Sequence, residues 1–532
     1  MDCTSTRLPY KHTNSFSKIL TDYVDQSPAL KPFYKHEVSI EGIKAAIAER
    51  KSFENQRELL VGELMRQYSA VKFGSQVARS IEKLRNASTF TITTAHQPNI
   101  FTGPLYFIYK IIHAIKLADH LSKELSEYEF VPVFYMGSED ADLAELNHIS
   151  INGEKLVWDT KQSGAVGRMN TKGLETLIDR IEGELGVQPH GKEIVSLLKK
   201  CYLESDNVQN ATFKIINELF GEYGLIVLIA DNPQLKSVMR PVFEKDILEK
   251  EPSRIVDSTI SQLTQAGMKV QANPRSINLF YLKDDLRERF TENGTGFHVH
   301  NTDLKFSKED ILTELEQNPQ HFSPNVILRG LYQETILPNV AFIGGGGELS
   351  YWLELKDLFE FYNVPFPVLI VRNSFLIVDQ KWNDKIERLC CEEKDLFKAE
   401  HELLTEFVKR QSKNELTLDK ERDELKKYYE DLRETTGKVD KSLLQHIAAL
   451  EKKAMNKLEA FEKKLIRAEK RKYAEEQKII QDMKAELFPN NGLQERAENF
   501  MSFYSRTGKK FIECLYQHSP TLEQEFVILR VH

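Results

Sequence analysis

The sequence predicts an α/β fold in which a parallel sheet with helical crossovers and insertions is extended by a long antiparallel α-helical coiled coil. Three observations carry this. A strand, a helix and a second strand follow one another within about 45 residues from Phe90, the signature of a βαβ unit. Apolar runs of the same kind recur at residues 225–230 and 368–371, as expected of strands buried on both faces. From about residue 382 to 487 Glu and Lys dominate, Gly and Pro almost vanish, and apolar residues recur by sevens.

Composition sets the bounds. At 532 residues, and roughly 150 residues per domain, three or four structural units are expected. Hydrophobic residues make up 41% and aromatics 10%, enough for a packed core and against general disorder. Lys and Arg number 72 against 80 Asp and Glu, a net charge of −8, which excludes an overall electrostatic footprint for nucleic acid. No apolar run reaches the roughly 18 residues of a membrane span, so a cytoplasmic protein is expected. Five cysteines, Cys3, Cys201, Cys390, Cys391 and Cys514, are odd in number and thinly spread, which reads as free thiols in a reducing compartment. None of them forms a Cys/His cluster with zinc spacing, and no metal ligand set is expected from them.

In chain order, residues 1–86 read as a helical preface, with Ile43, Ile47, Leu59, Leu60, Leu64 and Met65 spaced for one helix face after another. Residues 87–380 form the core. Its first strand is at 90–94, followed by a loop, Gly103-Pro104, and an apolar helix over about 105–121; the next strand is at 130–136. The later runs end in Asp231 and Arg372 and rejoin the same sheet. Excursions at about 150–210 and 270–325 read as insertions. Residues 381–487 predict a hairpin of two helices of about 50 residues turning near Gly437, each arm roughly 70 Å long. Residues 488–532 read as short helices and a final strand packing back on the core.

Three turns carry candidate chemistry. The first lies between the opening strand and its helix and holds His96, Gln97, Asn99, Gly103 and Tyr106. In an open α/β sheet, ligands bind beyond the carboxyl ends of strands, where helix N-termini favour anions, and a histidine there can neutralise phosphate. Lys110 and His113, two turns into the helix, read as surface or sheet-packing residues. The second turn holds Glu139, Asp140 and Asp142, with Asn147 and His148 following. Three carboxylates after a buried strand suit Mg²⁺ or a substrate amine, whereas the plain alternative is helix capping. The third is Gly344, Gly345, Gly346 and Gly347 with Glu348, Tyr351 and Trp352, where consecutive glycines fit close ligand approach or positive φ. It is neither a Walker A motif nor a dinucleotide fingerprint.

Together these segments, from His96-Gln97-Pro98 through Gly103-Pro104-Leu105-Tyr106, Ser138 to His148 and Gly344 to Trp352, resemble the cysteine ligase family of bacillithiol biosynthesis. The arm and the tail around Leu493-Gln494-Glu495-Arg496 fit it too. The resemblance implies a Rossmann-like core with connecting-peptide insertions, similar to class I aminoacyl-tRNA synthetases, and a homodimer formed through the coiled coil. It also implies addition of L-cysteine to glucosaminyl-malate. Two places depart from the family pattern: Gly345-Gly346-Gly347-Glu348 stands for Gly-Pro-Gly-Glu, and Leu328-Arg329-Gly330 for Leu-Arg-Pro. A Lys-Met-Ser-Lys-Ser loop is absent, and Arg372-Asn373-Ser374 is the local candidate for its place.

Joining a carboxyl to an amine in water is uphill, so activation by ATP with Mg²⁺ is expected. His96 is assigned to stabilising developing charge. Asp140 and Asp142 would hold a substrate amine or a metal, and Glu139 is a general-base candidate. The glycine turn with Glu348, Tyr351 and Trp352 would line the opposite wall, Arg329 and Arg372 suit the malate carboxylates, and Ser374 lies beside Arg372. The competing readings are a nucleotidyltransferase that stops at an adenylated product and a non-catalytic coiled-coil scaffold.

Overall fold

In the computed structural model, which describes residues 2–292, 294 and 296–532, the chain divides into two compact units. One gathers residues up to 11, 15–377 and 492–532; the other gathers 12–14 and 378–491.

The first unit is built on five parallel strands, β1 (Thr89–His96), β2 (Glu129–Met136), β3 (Ile226–Ile229), β4 (Asn339–Gly344) and β5 (Val368–Val371). Their spatial order is β3-β2-β1-β4-β5. This is Rossmann order: the chain moves from β1 to one edge, then restarts on the other side, so strand order reverses between β1 and β4. The strands are Val, Ile, Phe and Thr because both faces are covered. The buried hydroxyls are satisfied sideways, Thr91 and Thr93 donating to Asn339 Oδ1 at 3.1 and 2.8 Å. Helix α1 (Tyr106–Glu124) packs on β1 and β2 with nearly every residue through Leu121 buried.

The preface is part of this core. Ile43, Ala46 and Ile47 of the helix Ile40–Ser52 join Phe90, Ile92, Leu117, Ile343 and Ile370 in one apolar cluster. From the same helix Arg50 meets Glu334 at 2.8 Å, both fully buried, and also donates to the Glu334 and Pro365 carbonyls. The expectation that residues 1–86 begin as helix is corrected: Cys3–Leu8 is a strand, antiparallel to Phe526–Val531. The expectation of five free thiols is corrected with it, because Cys3 and Cys514 are disulfide-bonded. A pairing across 511 residues leaves no local signal. It arises because strand 3–8 lies against the helix Lys509–His518.

The insertions have distinct forms. Residues 148–157 make a β-hairpin, followed by helices Leu174–Leu185, Gly191–Leu198 and Val208–Phe220. Between 279 and 324 five short strands form a separate antiparallel sheet whose central strand is Leu286–Glu292. Helices α2 (Val326–Ile336) and α3 (Gly346–Trp352) flank β4.

The second unit contains α4 (Gln380–Arg388), α5 (Glu400–Gln411), α6 (Asp419–Val439), α7 (Leu444–Lys470) and α8 (Ala474–Leu487). Helices α6 and α7 form an antiparallel hairpin, tied by Arg422–Glu462 and Arg433–Glu451. The expected pair of 50-residue helices is corrected. The segment 412–418 interrupts the first arm and the second kinks at 471–473, so the hairpin arms have 21 and 27 residues, about 30 and 40 Å. Gly437 lies inside α6, and the turn falls at Asp440, whose side chain accepts the Ser442 N–H at 2.8 Å. Leu396 and Leu403 bury themselves as their heptad spacing requires, whereas Tyr428, Leu450 and Phe461 stay exposed on the hairpin. Among the described residues no helix is long and apolar enough to cross a membrane.

Candidate active site

Ligands of Rossmann sheets bind where strand order reverses, beyond the carboxyl ends. Here β1 ends at His96, β2 at Met136, β4 at Gly344 and β5 at Val371, so the turns singled out in the sequence issue from four adjacent strand ends. They are knitted together. Gly137 N–H donates to the His96 carbonyl at 2.8 Å and Arg372 N–H to the Gly344 carbonyl at 2.8 Å. Gln97 Nε2 donates to Asp140 Oδ2 at 3.2 Å, and Lys110 joins the Ala95 carbonyl, at 2.9 Å, to the Glu348 carboxylate of the glycine turn.

His96 is the last residue of β1, with its ring edge-on to Tyr106 and tilted against Phe107, both at 5.4 Å. The residue is half-buried, but its Nε2 is sealed from solvent and has no hydrogen-bond partner. Burial, reinforced by Lys110, Arg329 and Arg372, holds its pKa well below the ordinary histidine value. At neutral pH it is therefore an uncharged imidazole. The positive charge around this turn thus lies on Lys110, Arg329 and Arg372 rather than on His96.

The three carboxylates of the second turn have separate surroundings. Glu139 is paired with fully buried Lys236, which also reaches Asp231 at 3.4 Å, and Asp231 is held bidentately by Arg168 at 2.7 and 2.8 Å. Asp142 caps the short helix Leu143–Leu146 by accepting the Glu145 N–H at 3.3 Å. Asp142 is exposed, whereas Asp140 is half-buried, with Gln97, the Asp142 N–H at 3.1 Å, and Arg329 at 3.9 Å around it. Burial works against its charge, yet Arg329 and Arg287 hold its pKa below the usual carboxylate value, so it is ionised. The trio does not fit a Mg²⁺ site, and among the described residues no three such ligands converge. Loop 163–168 braces the turn, its Val166 and Gly167 amides donating to the Asp140 and Ser138 carbonyls at 2.8 and 3.0 Å.

In the glycine turn none of the four residues has positive φ, contrary to one of the two reasons offered for them. Packing within the protein accounts for two of them instead. A Cβ on Gly344 would stand 2.8 Å from Phe342 and one on Gly346 2.8 Å from Leu20, so these two are small because the core closes on them; Gly347 faces open space. The Gly345 N–H is taken by Glu348 at 2.8 Å. Tyr351 accepts from Arg329 at 3.4 Å. Trp352 lines no wall: it is 1% exposed and stacked on Phe342 at 4.4 Å, and Gly330, where the family pattern has proline, lies against its ring.

The remaining candidates are structural in placement. Arg372 lies over Tyr106 at 5.0 Å, but its fork is filled by Glu495 at 2.7 Å, Ser374 Oγ at 3.0 Å and the Asn373 carbonyl at 3.0 Å. Glu495 also accepts from Ser374, so neither Arg372 nor Ser374 is left for a ligand carboxylate. Asn99 Nδ2 reaches the Glu145 carbonyl at 3.4 Å while its Oδ1 is buried without a partner, and Gly103, at φ 63°, would clash with Asn99 if it carried a Cβ. Asn147 and His148 stand at the root of the insertion hairpin, bonded to each other and, through Asn147, to Trp158.

Sequence reasoning missed Lys110, Arg168, Lys236, Arg287 and Glu495. Lys110 is 2% exposed despite its position in a polar-looking helix register, and the carboxylate that requires it, Glu348, lies 238 residues away in sequence. Asp231, an acid closing a buried strand, was the one available signal for the Lys236 network.

The chain matches the family described as "Bacillithiol biosynthesis BshC, N-terminal Rossmann-like domain" over residues 1–373 and its "C-terminal coiled-coil domain" over 375–531. It is 41% identical over 533 residues to a Flavobacterium johnsoniae protein named "Putative cysteine ligase BshC", covering 100% of this chain and 99% of that one. It is 40% identical to a protein of that name from Flavobacterium psychrophilum, covering 99% of each, and 27% identical to one from Salinibacter ruber, covering 96% and 95%. A Campylobacter jejuni crystal structure titled "putative arginyl t-RNA synthetase" aligns over 84% of this chain and 98% of its own at 10% identity, with a TM-score of 0.22, too low to bear on the fold.

Proposed function

The chain belongs to the bacillithiol biosynthesis BshC family, and from that premise we propose that it is a ligase that adds L-cysteine to glucosaminyl-malate to form bacillithiol, with ATP activating the cysteine carboxyl. The observation that carries this reading is the convergence of His96, Asp140, Gly345–Glu348 and Arg329 at the switch point of a Rossmann sheet. A site that joins an amino acid to an amine needs an anion for the ammonium, donors for the carboxyl oxygens and a cradle for the activating group. Asp140, ionised and incompletely paired, supplies the first. His96, half-buried and neutral, lines the turn beside the reacting carboxyl without adding charge. In the glycine turn, Gly347 faces open space, which leaves room for the activating group. ATP, when bound, would supply the activation that turns the carboxyl into a reactive acyl donor.

Glu139, locked to Lys236, supports the turn rather than acting as a base. Exposed Tyr428, Leu450 and Phe461 on the α6–α7 hairpin support self-association as a homodimer. The test is incubation of the pure protein with cysteine, glucosaminyl-malate and ATP, followed by mass spectrometry. The reading requires a thiol product equal to the two substrates less water, with AMP or ADP. An adenylated compound without ligation would establish the nucleotidyltransferase instead, and no turnover at all would favour the scaffold.

A further inference from the structure

Five arginines of the sheet unit, Arg50 and Arg372 buried and Arg168, Arg287 and Arg329 half-buried, fall into two groups. Arg50, Arg168 and Arg372 are each closely paired with a carboxylate, Arg50 and Arg372 also with carbonyl or hydroxyl oxygens. Arg287 and Arg329 are not. A guanidinium has five N–H donors. Arg329 makes one long hydrogen bond, Nη2 to Tyr351 OH at 3.4 Å, and stands 3.9 Å from Asp140. Arg287 makes one, Nε to Ser323 Oγ at 3.2 Å, with its guanidinium flat on Phe280 at 4.0 Å. Burial lowers the Arg287 pKa, opposed by Asp140 and Glu139 and joined by Arg329. Since Glu139 is committed to Lys236, Asp140 is the one carboxylate left between two guanidinium groups, and the arrangement is short of one anion.

The placement is built. Arg329 rests over Gly137, where a Cβ would come within 3.5 Å of its Nη1. Arg287 arrives from the other insertion, on strand Leu286–Glu292, and the turn before it is held by loop 163–164: Ser163 donates to the Asp285 carbonyl at 3.1 Å, and a Cβ on Gly164 would stand 2.6 Å from that oxygen. The same loop binds the Asp140 turn, so that turn and the turn leading into the Arg287 strand are tied together.

We propose that Arg287 and Arg329 form the oxyanion subsite of this active site, a two-arginine clamp for the carboxylates of the amine-bearing substrate. This rests on the ligase reading. The planar forks suit a carboxylate bidentately, and Arg287, delivered by the antiparallel insertion, takes the place that Arg372 cannot fill. Phosphate shares this chemistry, so the test separates the two.

The experiment is steady-state kinetics of the full chain and of Arg287→Gln and Arg287→Lys, varying glucosaminyl-malate, cysteine and ATP in turn, with direct titration of L-malate as a free probe. The clamp predicts that KM for glucosaminyl-malate rises at least tenfold in both variants while KM for ATP and cysteine stays within twofold, and that malate binding falls by a similar factor. A rise confined to ATP would place a phosphate there and overturn the proposal, as would unchanged constants throughout. Arg287→Lys keeps the charge and guards against loss of fold, which melting curves check. If the wild type makes no thiol product yet binds malate through Arg287, the ligase reading fails and the subsite stands; if it makes product and Arg287 is indifferent, the subsite fails alone.

Discussion

Acidification should destabilise the sheet unit through His113, by an amount the structure sets. This side chain, in α1, is buried; its Nδ1 accepts the Asn373 N–H at 3.2 Å and its Nε2 faces the Thr521 carbonyl at 2.8 Å. A neutral imidazole offers one acceptor and one donor, so both bonds require the Nε2–H tautomer, and protonation would set a second N–H against the Asn373 amide. Burial, opposed by the Thr521 carbonyl and Glu523, brings the pKa down from 6.5 to about 4. A depressed folded-state pKa means that the unfolded chain takes up the proton first. The stability is fully present above about pH 6.5 and lost as pH falls from there to about 4. At about 1.4 kcal/mol per pKa unit the loss is on the order of 3 kcal/mol. The assay is denaturant unfolding of the protein and its His113→Gln variant at pH 7 and pH 4, in a Trp382→Phe background, so that fluorescence reports buried Trp158 and Trp352. The variant is less stable at pH 7, and the gap should shrink by about 3 kcal/mol at pH 4. A gap independent of pH, or a His113 resonance titrating near 6.5, would refute the reasoning.

Three further outcomes follow from particular contacts. Arg50→Ala leaves Glu334 buried without its partner and should cost on the order of 3–5 kcal/mol, read from the denaturation midpoint; a loss below about 1 kcal/mol would mean that the pair is not desolvated as described. His96→Asn should lower turnover about 100-fold or more with little change in melting temperature, because Nε2 has no bond to lose; a large melting shift would mark the ring as structural. Sedimentation should give a dimer of the 61.6 kDa chain that Phe461→Glu converts to monomer; a monomeric wild type at micromolar concentration would remove the hairpin from the interface.

What could be read in the sequence followed from local periodicity and chain order. The strands at 90–94, 130–136, 225–230 and 368–371 announced themselves because burial on both faces demands unbroken apolar runs, and their ends located the turns that the sheet brings together. β4 was visible only as the prelude to four glycines. Long-range partners left no such trace. Nothing near Arg372 foretells Glu495, 123 residues on, which turns a presumed ligand contact into an internal ion pair. Lys110 looked like an ordinary helix lysine until Glu348 folded over it, and Arg287 stands in a short polar-looking strand whose meaning depends on where the insertion lands. The hairpin tip was misplaced because a lone Gly437 costs a helix only about 1 kcal/mol, whereas Asp440, a side chain able to cap the next turn, ends it.

On the proposed function, the strand-end turns of β1, β2 and β4 form one site in which cysteine meets its amine partner. A crystal structure of the protein with cysteine and glucosaminyl-malate bound tests it directly. The account predicts substrate density in contact with His96 and Asp140, with the malyl carboxylates on Arg287 and Arg329. Substrates bound elsewhere, with these turns in contact with neither, would contradict it.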